Sequence, residues 1–153
     1  MKSIEEMKKD LKELLSKRRY EHSIGVMNMA EELAKIYNVD IQNAKIAGLL
    51  HDNAKEMKKE EILKYVKENK IKINKFERLN LPILHGKIGA DIAKKKYGVN
   101  EKIQKAIEYH TTTNPKMDML AKIIYVSDKV ELTRKSDKFD IKLERNLAKQ
   151  DID

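Results

Sequence analysis

His22, His51, His85 and His110 are all the histidines in the sequence, and they prolong apolar stripes at helical spacing. His22 continues the row of Val26, Met29 and Leu33, His85 sits beside Ile88 and Ile92, and His110 follows Ile103 and Ile107. His51 lies in "GLLHDNAKE", where the apolar end of a helix meets an imidazole, the Asp52 carboxylate and the Lys55 ammonium. Ala121 and Ile124 lead by the same spacing to Asp128. Taken singly, a histidine on an apolar face is more often a satisfied core residue, and Asp128 can be a buried cap or an ion-pair partner. No histidine is left over, however, and unpaired imidazoles and carboxylates clustered inside a protein are costly. A hard-to-borderline metal ion removes that cost by taking neutral nitrogens and ionised oxygens. Six such ligands exceed one site with open positions and suit two adjacent divalent ions that share a carboxylate. Such a pair can generate hydroxide and stabilise both the attacking and the leaving oxygen at phosphorus.

A succession of helices must position these groups. Ser3 with Glu6 forms a capping-box signature for a first helix to about Leu15, and a second runs from about Lys17 to Tyr37. Asp40 caps a third that leads into His51, a fourth covers about Lys59 to Glu68, and Pro82 opens a fifth that Gly98 stops. Asn100 caps a sixth to about Thr111, "TTTNP" is a turn, a seventh spans about Asp118 to Leu132, and a short basic helix closes the chain. Strand alternation and Asn-Gly or Asp-Gly hairpins are absent. The expected fold class is all-α: a helical bundle forming one domain over residues 1–153.

Apolar residues at 41% suffice for one core at this length, and 38% charged residues demand a heavily solvated surface. There is no cysteine, so nitrogen and oxygen must hold any metal. The N-terminal "MKSIEEMKKDLKELL" is charge-rich and amphipathic, neither a signal peptide nor a membrane span, and no later run is long enough to cross a bilayer. The expected setting is cytoplasmic. A net charge of +8 raises nucleic acid as a partner, but scattered lysines, no tryptophan and two phenylalanines provide no stacking platform. The charge reads instead as a solvated shell with a local positive field for an anionic substrate.

The order His…His-Asp…His…His…Asp resembles that of the HD-domain metal phosphohydrolases. "RRYEHS", "LLHDNAK", "LHGKIGA", "YHTT" and "YVSDKVELTR", spread from Arg19 to Arg134, resemble successive blocks of its YqeK-type branch, the symmetrical bis(5′-nucleosyl)-tetraphosphatases. The resemblance implies an HD-domain bundle that cuts diadenosine tetraphosphate into two ADP. It also implies that His22, His51, Asp52 and Asp128 hold one iron, while Asp52 bridges to a second ion held by His85 and His110. Spacing alone would equally permit manganese or another divalent ion. A homodimer is compatible with this reading.

Asp52, as the bridge, and Lys55 are the catalytic candidates, and His85 also faces substrate. Lys55 lies one turn beyond His51 and Arg19 one turn before His22, so each can neutralise or grip phosphate, or simply be a surface charge. Thr111 and Thr112 can bond phosphate or cap a helix. Arg134 is a further substrate candidate, although Leu132 and Thr133 replace the Pro-Gly turn that precedes the family's arginine, which leaves its reach open. Glu131 can lie behind the ligands or in solvent, and Gly86 and Gly89 read as packing devices. Members of the branch continue into a further helix and a tail that helps cover the nucleotide, so those residues are not carried over. Two alternatives use the same residues: a phosphohydrolase of nucleoside monophosphates or another phosphoester, and a metal- and nucleotide-binding module without turnover.

Overall fold

The Ser3 N–H donates to Glu6 Oε2 at 2.7 Å and the Glu6 N–H donates to Ser3 Oγ at 3.2 Å, closing the expected capping box at the start of α1 (Ile4–Leu14). Asp40, Asn100 and Asp118 each accept from the N–H three residues on, opening α3 (Ile41–Leu50), α7 (Glu101–Tyr109) and α8 (Met119–Val130). The computed structural model describes residues 1–136 and 140–153. The other helices are α2 (Lys17–Ile36), α4 (Lys59–Glu68), α5 (Lys75–Leu79), α6 (His85–Ile92) and α9 (Ile141–Ala148). The described residues contain no strand, as the sequence leads one to expect.

Two boundaries differ from expectation. Pro82 does not open a long helix: it lies in a short 3₁₀ turn, Leu81–Leu84, and α6 begins at His85. After Ile92 the helix widens into a π-turn, Ala93–Tyr97, and Gly98 stops it in the left-handed region at φ 71°. The one-turn helix α5 is not expected from periodicity, because five residues are too few to show a period; its mark in the sequence is the capping box of Asn74 and Glu77.

The main core lies between α2, α3, α7 and α8, with Met29, Leu33, Leu49, Leu50, Ile103, Ile107, Ile123 and Ile124 packed in one cluster. Ala54, Ile62, Leu84 and Ile88 form a smaller core that seats α4 and the 3₁₀ turn against α6. No described helix is long and apolar enough to cross a membrane. Helices α2 and α3 approach closely at Gly48, where an added Cβ would meet Met27 Cα and Val26 O at 3.0 Å. Three residues after this contact the chain delivers His51 to the site. Gly48→Val is expected to lower stability by about 1–3 kcal/mol, the usual cost of overpacking, seen as a lower urea midpoint.

Candidate metal centre

His22 lies within α2, His51 follows the last residue of α3, His85 begins α6, His110 follows the last residue of α7, and Asp128 sits in the last turn of α8. All five, together with Asp52, are buried. Three of the rings thus occupy helix ends, where backbone carbonyls or N–H groups lack intrahelical partners. His51 Nδ1 donates to Gly48 O at 2.7 Å, His85 Nδ1 to Pro82 O at 2.7 Å, and His110 Nδ1 to Ile107 O at 2.6 Å. A carbonyl can only accept, so each of these rings carries its proton on Nδ1 and turns Nε2 inward. His22 Nδ1 faces Glu131 Oε1 at 3.1 Å and its Nε2 faces Asp128 Oδ1 at 2.9 Å.

Asp52 divides its oxygens between two groups. Oδ2 lies 3.3 Å from His51 Nε2 and 3.6 Å from His22 Nε2, whereas Oδ1 lies 3.3 Å from both His85 Nε2 and His110 Nε2. Donor atoms of His22, His51, Asp52 and Asp128 lie within 4.8 Å of one another, as do those of Asp52, His85 and His110. Two details fit cations at these points. His51 Nε2 has no hydrogen-bond partner among the described residues. His85 Nε2 and His110 Nε2 face each other at 3.0 Å, where two lone pairs repel unless a positive charge lies between them.

Electrostatics agree. Burial would push the Asp52 carboxyl up, yet the imidazoles that face it, His51 foremost with His110 and His85, hold it far below the carboxylate range. Burial likewise opposes ionisation of Asp128, and the bond from His22 with the nearby His51 overrides it. Burial alone would lower His51, but Asp52 and Asp128 raise it to about 10. His110 goes the other way, held below its ordinary value chiefly by burial. A point that binds a proton this strongly between two carboxylates also suits a divalent ion, which replaces that proton.

Asp52, His85, His110 and Asp128 form the floor of a cleft of about 580 Å³, with His22 and His51 behind them. Lys55, Arg19, Thr111 and Arg134 all line it. Thr112 does not: it lines a neighbouring cavity beyond Thr111. Arg19 donates to Asp52 Oδ2 at 2.8 Å, and Arg134 donates to the Asp128 carbonyl at 2.9 Å and to its Oδ1 at 3.0 Å. Arg134 therefore reaches the cleft without a Pro-Gly turn before it. Sequence reasoning missed Lys129, 3.2 Å from Asp128 Oδ2, and the apolar wall of Phe76, Leu79, Pro82 and Ile83. It also missed Asn53, which ties the cluster to α6 by donating to Leu50 O at 2.8 Å and Gly89 O at 3.0 Å. A lone asparagine or an exposed phenylalanine shows no pattern that could have flagged it. Gly86 is a packing device, since an added Cβ would stand 2.8 Å from Glu108 O.

A family model described as the HD domain matches residues 19–133. The chain is 38% identical over 125 residues to "Bis(5'-nucleosyl)-tetraphosphatase, symmetrical" of Bacillus subtilis (strain 168), covering 81% of this chain and 67% of the relative. The protein of the same description in Staphylococcus aureus (strain NCTC 8325 / PS 47) is 35% identical over 130 residues, covering 84% of this chain and 66% of the relative. A crystal structure from Clostridium acetobutylicum, described as a "predicted HD superfamily hydrolase involved in NAD metabolism", is 38% identical and superposes with a TM-score of 0.93 over 99% of this chain and 80% of that one. The chain thus spans about two thirds of the length of these curated relatives.

The shifted groups set a pH window for the metal-stripped protein. Asp52 and Asp128, lowered from an ordinary 3.8, stabilise the fold above that value and lose the contribution as pH falls below it. His51, raised from 6.5 to about 10, stabilises below 6.5 and loses its contribution as pH rises toward 10. His110, held below its ordinary 6.5, loses its contribution as pH falls below that value, so urea midpoints of stripped protein are expected to peak near about pH 6.5 and to decline on both sides. A divalent ion should flatten the alkaline decline, because the deprotonated ring is its ligand.

Proposed function

The chain belongs to the HD domain family, and from that premise we propose that it is a metal-dependent phosphohydrolase that cuts dinucleoside polyphosphates, diadenosine tetraphosphate above all, into two nucleoside diphosphates. The observation that carries this reading is the division of Asp52, one oxygen to each of two histidine groups, on the floor of a cationic cleft. His22, His51, Asp52 and Asp128 would hold one ion, and Asp52 with His85 and His110 a second. Divalent ions bound there supply Lewis acidity that makes water nucleophilic and offsets charge at phosphorus.

The chain's own residues bind and orient the substrate. Lys55, Lys129, Arg19 and Arg134 surround the floor and neutralise a polyphosphate. Arg19 and Arg134 bond Asp52 and Asp128 here, and are freed to grip phosphate once those oxygens serve as ligands. Thr111 offers a hydroxyl at the rim, and the wall of Phe76, Leu79, Pro82 and Ile83 is an apolar face for a nucleoside base. Water attacks one of the two central phosphorus atoms, the bridging P–O bond breaks, and the oxygen of the departing diphosphate takes up the charge. Water's elements are shared between two identical products. Positive charge from Lys55 meets that departing oxygen. Iron as the metal belongs to the same reading and is supported by the family resemblance; a homodimer and a cytoplasmic setting are compatible with it.

Metal-replete protein incubated with diadenosine tetraphosphate should yield ADP as sole product, resolved by anion-exchange chromatography. Phosphate released from a nucleoside monophosphate instead would favour the other phosphohydrolase, and nucleotide binding without any product would favour a binding module. Chelation should abolish turnover. Asp52→Asn should reduce kcat by at least about 10²-fold, the lower range for removing a group that stabilises a transition state, while Lys55→Ala should lower kcat and leave metal content at the wild-type level.

A further inference from the structure

His22 differs from the other three rings in what holds it. Its Nδ1 faces a carboxylate, Glu131 Oε1, at 3.1 Å, where the others face backbone carbonyls. Glu131 lies just beyond the end of α8 and is 0% exposed. The Thr133 N–H donates to its Oε2 at 2.8 Å and the Thr133 hydroxyl donates to its Oε1. Arg145 of α9 holds the backbone at this point, donating to Val130 O at 2.7 Å and to Glu131 O at 3.4 Å. Across the gap, α2 carries Gly25, three residues after His22; a Cβ there would stand 2.0 Å from Glu131 Oε2. The volume a side chain would fill on α2 is given to the carboxylate. Its contact with Thr133 is local in the chain, so His22 is the distant group that Glu131 is placed to meet.

A carboxylate behind a histidine fixes the ring and makes the far nitrogen a stronger donor than a carbonyl does. The two halves of the centre therefore differ in kind. One offers two histidines and two carboxylates, with Glu131 behind His22; the other offers two histidines and only the shared oxygen of Asp52. We propose that Glu131 is a positioning residue which, through His22, makes the subsite of His22, His51, Asp52 and Asp128 the tighter one, so that the centre loads in a set order. The second ion then enters at Asp52, His85 and His110. This rests on the metal-centre reading given above.

Titration of stripped protein with Co²⁺, followed by calorimetry and visible absorption, separates the two. Wild type should bind in two phases, and His85→Ala should delete the weaker phase alone. Glu131→Gln should weaken the tighter phase by about 10–100-fold, as is typical for the group behind a metal-bound histidine, and alter its absorption while sparing the weaker phase. Gly25→Ala, which displaces the same carboxylate, should reproduce the effect. If Glu131→Gln lowers the urea midpoint but leaves both phases and the spectrum as in wild type, Glu131 only braces the end of α8 and the proposal falls. If wild type binds no cobalt, the metal centre itself is refuted and this proposal with it; an unchanged two-phase isotherm refutes the role of Glu131 alone.

Discussion

Each histidine of the centre commits one ring nitrogen to holding the ring still, and the converging geometry follows from that commitment. Nδ1 of His51, His85 and His110 is bonded to the carbonyl three residues earlier, and Nδ1 of His22 to Glu131. With those protons spoken for, the four Nε2 atoms can only present lone pairs, or accept extra protons, toward Asp52 and Asp128. Neither state is comfortable without added positive charge: lone pairs repel at 3.0 Å between His85 and His110, and buried carboxylates need a counter-charge. The elevated His51 and the strongly acidic Asp52 express the same strain from opposite sides.

Helix ends are the means by which the fold meets this constraint. A ring at the end of α3 or α7 bonds a carbonyl of the turn just before it, Gly48 O or Ile107 O, so the helix end itself orients the imidazole. The 3₁₀ turn before α6 does the same for His85 through Pro82 O. Gly48 lets α3 close on α2, and Gly86 lets α6 close on the end of α7, so that rings from separate helices come within reach of one carboxylate. Small residues and helix ends together bring the donors to a common point.

Charge is arranged in two shells around that point. Carboxylates and imidazoles form the floor, and the cations Arg19, Lys55, Lys129 and Arg134 form the rim. Arg19 and Arg134 reach inward to bond the aspartates, which couples the state of the floor to the cations available for phosphate. The net charge of +8 is thus less telling than its placement. Most of the lysines are solvated, while a few stand where a polyphosphate would lie.

Helix order, most caps and the gathering of four histidines with Asp52 and Asp128 were legible in the chain itself. Those features are local, or periodic enough to show which face a side chain takes: four histidines closing apolar stripes leave little else for them to do. The sequence could not show that Asp52 offers one oxygen to each group, that Arg134 reaches the cleft after an altered turn, or that Thr111 lines the cleft while Thr112 lies in the cavity beside it. Nor could it reveal Asn53, Lys129 or the Phe76–Ile83 wall as parts of the site, or settle whether Glu131 faced His22 or water. These depend on distances between residues far apart in the chain, set by how closely the helices cross. Side-chain type and spacing determined what could be ligated; only packing decided which atoms meet.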